Sequence, residues 1–232
     1  AVLGADVCAI AGTSQQSVAE AAESLQARFD LLVRGYSSAE RMMRDETLDA
    51  VAICSPHQFH REHLRLALES GSHVLCEKPM GISSEQVLKM AQVAEETGMF
   101  LMEAMWMRFL PAYKQVITRI KAGEIGEVKH MTASFGFRSE DKLSKDGRLM
   151  NPDLAGGALY DVGVYPLTIA SDLFGWEPID FKAHAIKSST GVDESIQIQL
   201  DPSSITADCR LIAQGCILRR LRLMQIQISS KG

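Results

Sequence analysis

The residues best equipped for chemistry are a lysine that closes a short apolar run and a carboxylate–phenol pair further along the chain. His73-Val74-Leu75-Cys76 reads as a buried strand that stops at Glu77-Lys78, with Pro79 preventing its continuation into Met80-Gly81. In an open parallel sheet, ligands gather at the carboxyl ends of the strands. A lysine fixed there is placed to exchange a proton or to polarise a substrate hydroxyl. Asp161 and Tyr165 lie four residues apart in the run from Gly156-Gly157 to Tyr165, which on a helix puts them on one face, a turn apart. Beside a lysine such a pair makes a proton-relay set, with Tyr165 as acid/base, Lys78 lowering its pKa by its charge, and Asp161 orienting the substrate. Taken singly, each feature is commonplace: a lysine beside a turn, or two polar groups on a helix surface.

What gives them weight is the order of elements around them. Asp6 to Ala11 is a short apolar run ending at Gly12, and Thr13 with Gln16 has the spacing of a capping box for a helix through about Phe29. A short helix over 37–45 and a buried strand over 49–54, halted by Ser55-Pro56, follow. Residues 58–70 form an amphipathic helix with Leu64, Ala67 and Leu68 on one face. After the strand that carries Lys78, Ser83 and Gln86 cap a helix over 84–97, and Met99 to Met102 is another strand. Strands separated by helices of this length call for a parallel sheet with right-handed crossovers. Gly12-Thr13-Ser14, Ser55-Pro56-His57 and Glu77-Lys78-Pro79 then share one rim. The hydroxyls of Thr13 and Ser14, at a helix N-terminus, suit a phosphate or ribose.

From about residue 105 the rhythm changes. Pro111 to Lys121 reads as a helix, Val128 to Phe135 alternates as a half-exposed strand, and Ser139 to Asp153 is polar and irregular. Gly156-Gly157 opens an apolar helix to about Phe174. Phe181 to Ile186 and Ser195 to Leu200 are further strands, and Asp201-Pro202-Ser203-Ser204 is a hairpin turn leading into Ile205 to Ala213. The fold class is therefore α/β: a doubly wound parallel sheet over 1–104, followed by an α+β domain over 105–232 with a mostly antiparallel open sheet.

Composition narrows the function. A net charge of −5 leaves no basic stripe for nucleic acid or an anionic membrane, and the Arg219-Arg220-Leu221-Arg222 cluster reads as a solvated tail. Five scattered cysteines form neither a disulfide framework nor a zinc pattern, which points to a reducing compartment. Cys8, Cys54 and Cys76 sit in apolar runs and read as buried small hydrophobes. No apolar stretch reaches membrane-spanning length and no signal peptide is legible, so a soluble cytoplasmic protein is expected. His57, His60 and His63 have tempting spacing for a metal hydrolase, but no carboxylate or cysteine completes a ligand set, and no metal is expected.

Four segments in order resemble one family. They are Cys76-Glu77-Lys78-Pro79; Ala52 to His57 with His60 beyond it; Met102 to Phe109; and the Gly156-Gly157-Ala158 helix with Asp161 and Tyr165. Together they are similar to the glucose-fructose oxidoreductase/inositol dehydrogenase family, nearest its branch of dimeric dihydrodiol and NADP-dependent D-xylose dehydrogenases. The resemblance spans roughly residues 1–200. It implies a Rossmann domain, a second domain serving substrate binding and homodimer formation, and reversible hydride transfer between a nicotinamide and a hydroxyl-bearing carbon of a sugar, polyol or trans-dihydrodiol. It places Lys78 near nicotinamide and substrate, makes Tyr165 the acid/base and Asp161 its helical partner, lines the substrate pocket with Trp106 and Arg108, and borders the cofactor with Ser55, Pro56, His57, His60 and Glu77. An acidic residue ending the second strand would select NAD; here Gly12-Thr13-Ser14 stands there, which favours NADP.

By the same resemblance the chain opens inside the helix after the first strand, without the G-x-G-x-x-G loop that cradles pyrophosphate, and ends early. Neighbours of a missing central strand would leave backbone groups unpaired, each costing about 1–3 kcal/mol when buried. A second expectation therefore stands beside the dehydrogenase: an inactive, shortened relative that acts as an interaction or sugar-sensing module.

Overall fold

The computed structural model describes residues 4–137, 145–175, 179–202, 208–214 and 223–230. They fall into two compact units. The first comprises Ala1–Ser55, Phe59–Cys76 and Ser83–Met102; the second comprises Pro56–Gln58, Glu77–Ile82 and Glu103–Gly232.

In the first unit strands and helices alternate: β1 (Ala9–Ala11), α1 (Gln15–Phe29), β2 (Arg34–Tyr36), α2 (Ala39–Asp45), β3 (Ala50–Ile53), α3 (His60–Glu69), β4 (His73–Cys76), α4 (Ser84–Thr97) and β5 (Leu101–Glu103). β1 pairs parallel with β2, and β3 pairs parallel with β4 in the register Ala50↔His73 to Ile53↔Cys76. β5 completes a second sheet of order β3-β4-β5. Each long helix starts where a hydroxyl can take an orphan N–H. Ser83 caps α4 by accepting from Gln86, as its spacing predicts. At α1 the cap is Ser14, accepting from Ser17, one residue beyond the expected Thr13; Gln16 instead bonds Glu20. α1 ends on Asp30 and α4 on Gly98, both left-handed.

α3 buries the expected face: Leu64, Ala67 and Leu68 are wholly excluded from solvent. In β3 and β4 the two-residue period buries Val51, Ile53, Val74 and Cys76 and turns Ala52, Cys54 and Leu75 outward. This corrects the reading of the cysteines. Cys76 is buried, whereas Cys54 shares the outward parity of Ala52, and Cys8, just ahead of β1, is exposed. Strand β2, with the sequence Arg-Gly-Tyr, carries no apolar run and was not anticipated.

The second unit holds α5 (Pro111–Lys121), β6 (Val128–Gly136), α6 (Val164–Phe174), β7 (Ile179–Lys187), β8 (Asp193–Pro202), β9 (Asp208–Gln214) and β10 (Leu223–Ser230). Its sheet runs β10-β6-β9-β8-β7; every neighbouring pair is antiparallel except β6 with β9. β8 and β9 pair as a hairpin requires, although the Ser203-Ser204 turn lies outside the described residues, as does the Arg219 to Arg222 cluster. The core sets Met105, Met107, Met131, Ala133, Tyr165, Ile169, Ala170 and Phe174 together. α6 is thus an almost wholly buried helix, and its polar side chains satisfy themselves locally: Thr168 donates to the Val164 carbonyl and Ser171 to that of Thr168. Among the described residues no helix is long and apolar enough to cross a membrane.

Candidate active site

Lys78 lies in the loop Glu77–Ile82, which belongs to the second unit. The loop is tied down along its length. The Met80 N–H donates to Glu103 Oε1 at 2.7 Å, and the Tyr160 hydroxyl donates to the Ile82 carbonyl at 2.8 Å. The Lys78 N–H donates to the Glu77 carboxylate at 3.2 Å, and the Lys78–Pro79 peptide is cis. Held at both ends, the loop directs the Lys78 ammonium to the Asp161 carbonyl at 2.5 Å and to Asp161 Oδ1 at 3.3 Å. Both side chains of this pair are nearly buried, at 12% and 11% exposure, where a charge pair is much less screened than at a surface.

The helix opposite is irregular where it matters. Leu159–Gly163 forms a π turn that runs directly into α6. In that wider register the carbonyl of Asp161 would be served by the N–H of residue 166, a proline that has none. The lysine occupies the direction that the missing donor leaves open. Arg148 adds a second cation, donating to Asp161 Oδ1 at 3.0 Å. Burial alone would raise the Asp161 pKa, but the charges and hydrogen bonds of Lys78 and Arg148 outweigh it and hold the carboxyl below its ordinary value.

Tyr165 completes the group. Its ring packs edge-on against Phe135 and Trp106, at centroid distances of 5.1 and 5.8 Å, and the Lys78 ammonium stands over it, 5.3 Å from the centroid. Trp106 Nε1–H donates to the phenol oxygen at 2.8 Å. Burial pushes the phenol pKa up; the Trp106 hydrogen bond opposes this, while the charges of Glu77 and Asp161 reinforce it. The expectation that Lys78 lowers the Tyr165 pKa is therefore not met. Its ammonium faces the ring rather than the oxygen, and Asp161 compensates its charge.

The other expected residues divide by role. Within the second unit, the His57 ring accompanies the Ala155 carbonyl at 3.2 Å and meets Tyr160 edge-on at 6.3 Å; Pro56 and Glu77 are half-buried. Trp106 keeps about half its surface exposed. Arg108, expected to line a pocket, grips both Asp172 oxygens at 2.8 and 3.1 Å, with the Tyr113 hydroxyl on the same carboxylate at 2.7 Å. Within the first unit, Thr13 is exposed and Ser14 lends its hydroxyl to α1. The Ser55 hydroxyl bonds His63 at 2.9 Å, and the fully buried His60 bonds the Ser55 carbonyl at 2.8 Å. His60 and His63 thus shape the turn after β3, and among the described residues no group of metal ligands converges.

A dinucleotide suits what the first unit offers. β1 and β3 end at Gly12 and Ser55, with exposed hydroxyls at Thr13 and Ser14 above the start of a 15-residue helix. Gly12 keeps this turn close to α1, where an added Cβ would come within 2.9 Å of the Val18 side chain. Sequence reasoning missed Arg148, Glu103, Tyr160 and Asp193. Arg148 sits in a polar run without periodicity, and Glu103 is the unremarked last residue of β5; neither carries a local signal of its role.

The chain thus pairs an alternating α/β unit of parallel strands with a sheet-bearing unit that gathers lysine, carboxylate and phenol. Residues 3–105 match the oxidoreductase family with an NAD-binding Rossmann fold, GFO/IDH/MocA, and residues 113–212 match the GFO/IDH/MocA C-terminal domain. The chain belongs to this family. It is 35% identical over 217 residues to the D-xylose 1-dehydrogenase (NADP(+)) of Hypocrea jecorina, covering 85% of this chain and 55% of that protein. It is 34% identical over 194 residues to the trans-1,2-dihydrobenzene-1,2-diol dehydrogenase of Xenopus laevis, covering 81% and 58%. KijD10, a 3-ketoreductase from Actinomadura kijaniata solved with TDP-benzene and NADP, superposes with a TM-score of 0.75 at 27% identity, over 90% of this chain and 60% of that one. The chain thus spans little more than half the length of the curated relatives it matches.

Proposed function

We propose that this protein is an NADP-dependent oxidoreductase that moves a hydride between nicotinamide and the hydroxyl-bearing carbon of a sugar, polyol or trans-dihydrodiol. The observation that carries the reading is the convergence of Lys78 on Asp161 and on the Tyr165 ring, at 3.3 and 5.3 Å, inside the second unit. When bound, the cofactor supplies the hydride acceptor or donor; the chain's own residues handle the proton and the substrate oxygen. Tyr165 Oη accepts from Trp106, so its own proton is directed elsewhere, and it is the group that exchanges a proton with the substrate hydroxyl. Lys78 stabilises negative charge developing on that oxygen, and Asp161, itself held by Arg148, fixes the ammonium in place. Trp106 walls the substrate, and Arg108, in the same short turn Trp106–Phe109, anchors that turn by gripping Asp172.

Thr13, Ser14, Ser55, Pro56, His57, Glu77 and Lys78 are the residues that would hold the cofactor, and His60, fully buried on the Ser55 carbonyl, would support the turn from behind rather than touch it. The absence of a carboxylate after β1 supports NADP over NAD. A homodimer through the five-stranded sheet is part of the same reading. It draws support from β7, an edge strand that exposes Phe181 and Ile186 at 68% and 51%. A cytoplasmic setting agrees with the odd, scattered cysteines.

The test is spectrophotometric. The protein is incubated with NADP⁺ or NAD⁺ and a panel of pentoses, hexoses, polyols and trans-dihydrodiols, and reduced nicotinamide is followed by its absorbance. Turnover with NADP⁺ and at least one member of the panel is expected. Silence across the panel with both cofactors overturns the reading.

A further inference from the structure

We propose that Asp193 is a positioning residue for the reaction: from the first residue of β8 its carboxylate caps the helix that bears Asp161 and Tyr165, and so fixes where both stand relative to Lys78. The inference rests on the functional reading above.

The helix needs such a partner. An α-helix leaves its first N–H groups without acceptors, and this one begins with a π turn behind two glycines that offer no side chain for capping. No residue within the helix supplies a side-chain cap at Leu159–Gly163. Asp193 fills the gap from a separate element. Its Oδ2 accepts from the Leu159 N–H at 2.6 Å, and the Ala158 N–H also bonds its carboxylate. A negative group at this end also opposes the positive end of the helix dipole.

The fit is tight on every side. Gly157 has φ +118°, and a Cβ there would come within 2.0 Å of Asp193 Oδ1; at Gly156 a Cβ would come within 2.7 Å of the Leu149 carbonyl. Gly157 is thus what lets the backbone close on the carboxylate, and Gly156 what lets the same turn pass the Leu149 carbonyl. Burial raises the Asp193 pKa, and the backbone hydrogen bonds pull against that rise, as expected of a carboxylate held by its partners rather than by water. Beyond the cap the chain runs without interruption through Asp161 to Tyr165, and neighbouring Ala158 and Val162 pack on Ile196 of the same strand. A displacement of the helix start is therefore carried to both polar residues.

The experiment separates positioning from mere stability. Asp193→Ala, Asp193→Asn and Asp193→Glu are compared with wild type for kcat, KM and melting temperature. Ser83→Ala, which removes the cap of α4 in the other unit, serves as a control that lowers the melting temperature alone. A Trp176→Phe background leaves Trp106 as the one indole, because the sequence has two tryptophans. Its emission then reports the Trp106–Tyr165 hydrogen bond without any need for activity. Asp193→Ala is expected to lower kcat at least tenfold with the cofactor KM within twofold, and to shift the Trp106 emission. Asp193→Asn, which keeps an acceptor oxygen, is expected to restore most of both, while Ser83→Ala leaves kcat unchanged. Wild-type kcat and unmoved emission in Asp193→Ala overturn the proposal, as does an Asn variant no better than Ala. If Asp193→Ala does not fold, Asp193→Glu decides: the charge is kept but the oxygen advances by a methylene, and wild-type kcat there overturns the proposal. If the wild type turns over no substrate, the functional reading fails, and the emission comparison still judges the role of Asp193.

Discussion

Trp106 and Tyr165, 59 residues apart, are joined by an indole N–H that donates to the phenol oxygen at 2.8 Å. The oxygen is thus an acceptor toward the indole, and a donor on that side favours the phenolate over the phenol. Trp106→Phe keeps an aromatic edge against Tyr165 but removes the donor. A hydrogen bond to a charged group is worth about 1.5–3 kcal/mol, so kcat/KM should fall about 10- to 100-fold. Without the donor the Tyr165 pKa rises further, and the limb of the pH–rate profile that reports it should move to higher pH. An unshifted limb would remove Trp106 from the proton chemistry.

Tyr165→Phe is the companion variant. The ring contacts to Phe135 survive, but the hydroxyl that exchanges the proton does not. Loss of general acid–base catalysis predicts a fall in kcat of about 10²–10⁴. Losing the hydrogen bond from the half-exposed Trp106 costs roughly 0.5–1.5 kcal/mol of stability. Calorimetry alongside steady-state kinetics tells the two effects apart, and a variant with unchanged kcat would exclude Tyr165 as the acid/base.

The Asp161 carboxyl dictates an acid limb in stability. Its folded pKa lies below the unfolded value of about 3.9. Its contribution is accordingly present in full above that unfolded value and is lost as pH falls through the lower folded one. Melting temperatures of the wild type should decline through this window, and Asp161→Asn should lack that part of the decline. Parallel acid limbs in the two proteins would mean that Lys78 and Arg148 do not stabilise the ionised carboxylate.

Pro166→Ala tests how the lysine is held. The substitution supplies a main-chain N–H that competes with Lys78 for the Asp161 carbonyl and regularises the helix. The expected outcome is a melting temperature no lower than wild type with kcat reduced about tenfold, equivalent to about 1.4 kcal/mol in the barrier. A crystal structure of the variant would show whether the ammonium has left the carbonyl.

Arg108→Ala asks whether this guanidinium serves the substrate or the scaffold. Bidentate carboxylate pairs are among the stronger polar contacts, and this one also shares Asp172 with Tyr113. The variant should lose about 1–3 kcal/mol of stability with little change in substrate KM. A large rise in KM at unchanged melting temperature would return Arg108 to the pocket wall.

Much of this arrangement was legible because local and long-range signals agreed. Val51, Ile53, Val74 and Cys76 lie in apolar runs closed by proline, and Ser83 with Gln86 announces the start of α4. Elsewhere the signals diverged. Cys54 lies in an equally apolar run, yet strand parity turns it outward, and only the register of a neighbour decides that. β10 carries a period-two alternation in Met224-Gln225-Ile226-Gln227-Ile228, and it finds its place against β6, about ninety residues earlier, which no local window contains. Arg148 and Asp193 are invisible for the same reason: their meaning comes from partners on other elements. Asp161 was legible as a polar residue near Tyr165, but the spacing assumed a regular helix, and the π turn revises its geometry.

That π turn has one further consequence. Each residue of a helix advances the chain by roughly 100° about the axis, so the extra residue in Leu159–Gly163 sets the compass bearing of everything downstream. Shortening this stretch by a single amino acid would leave α6 its composition and its oily surface, yet swing Tyr165 about a quarter-circle away from the amine. The catalytic aim of the helix is thus stored in a count of residues, where no substitution scan would look for it.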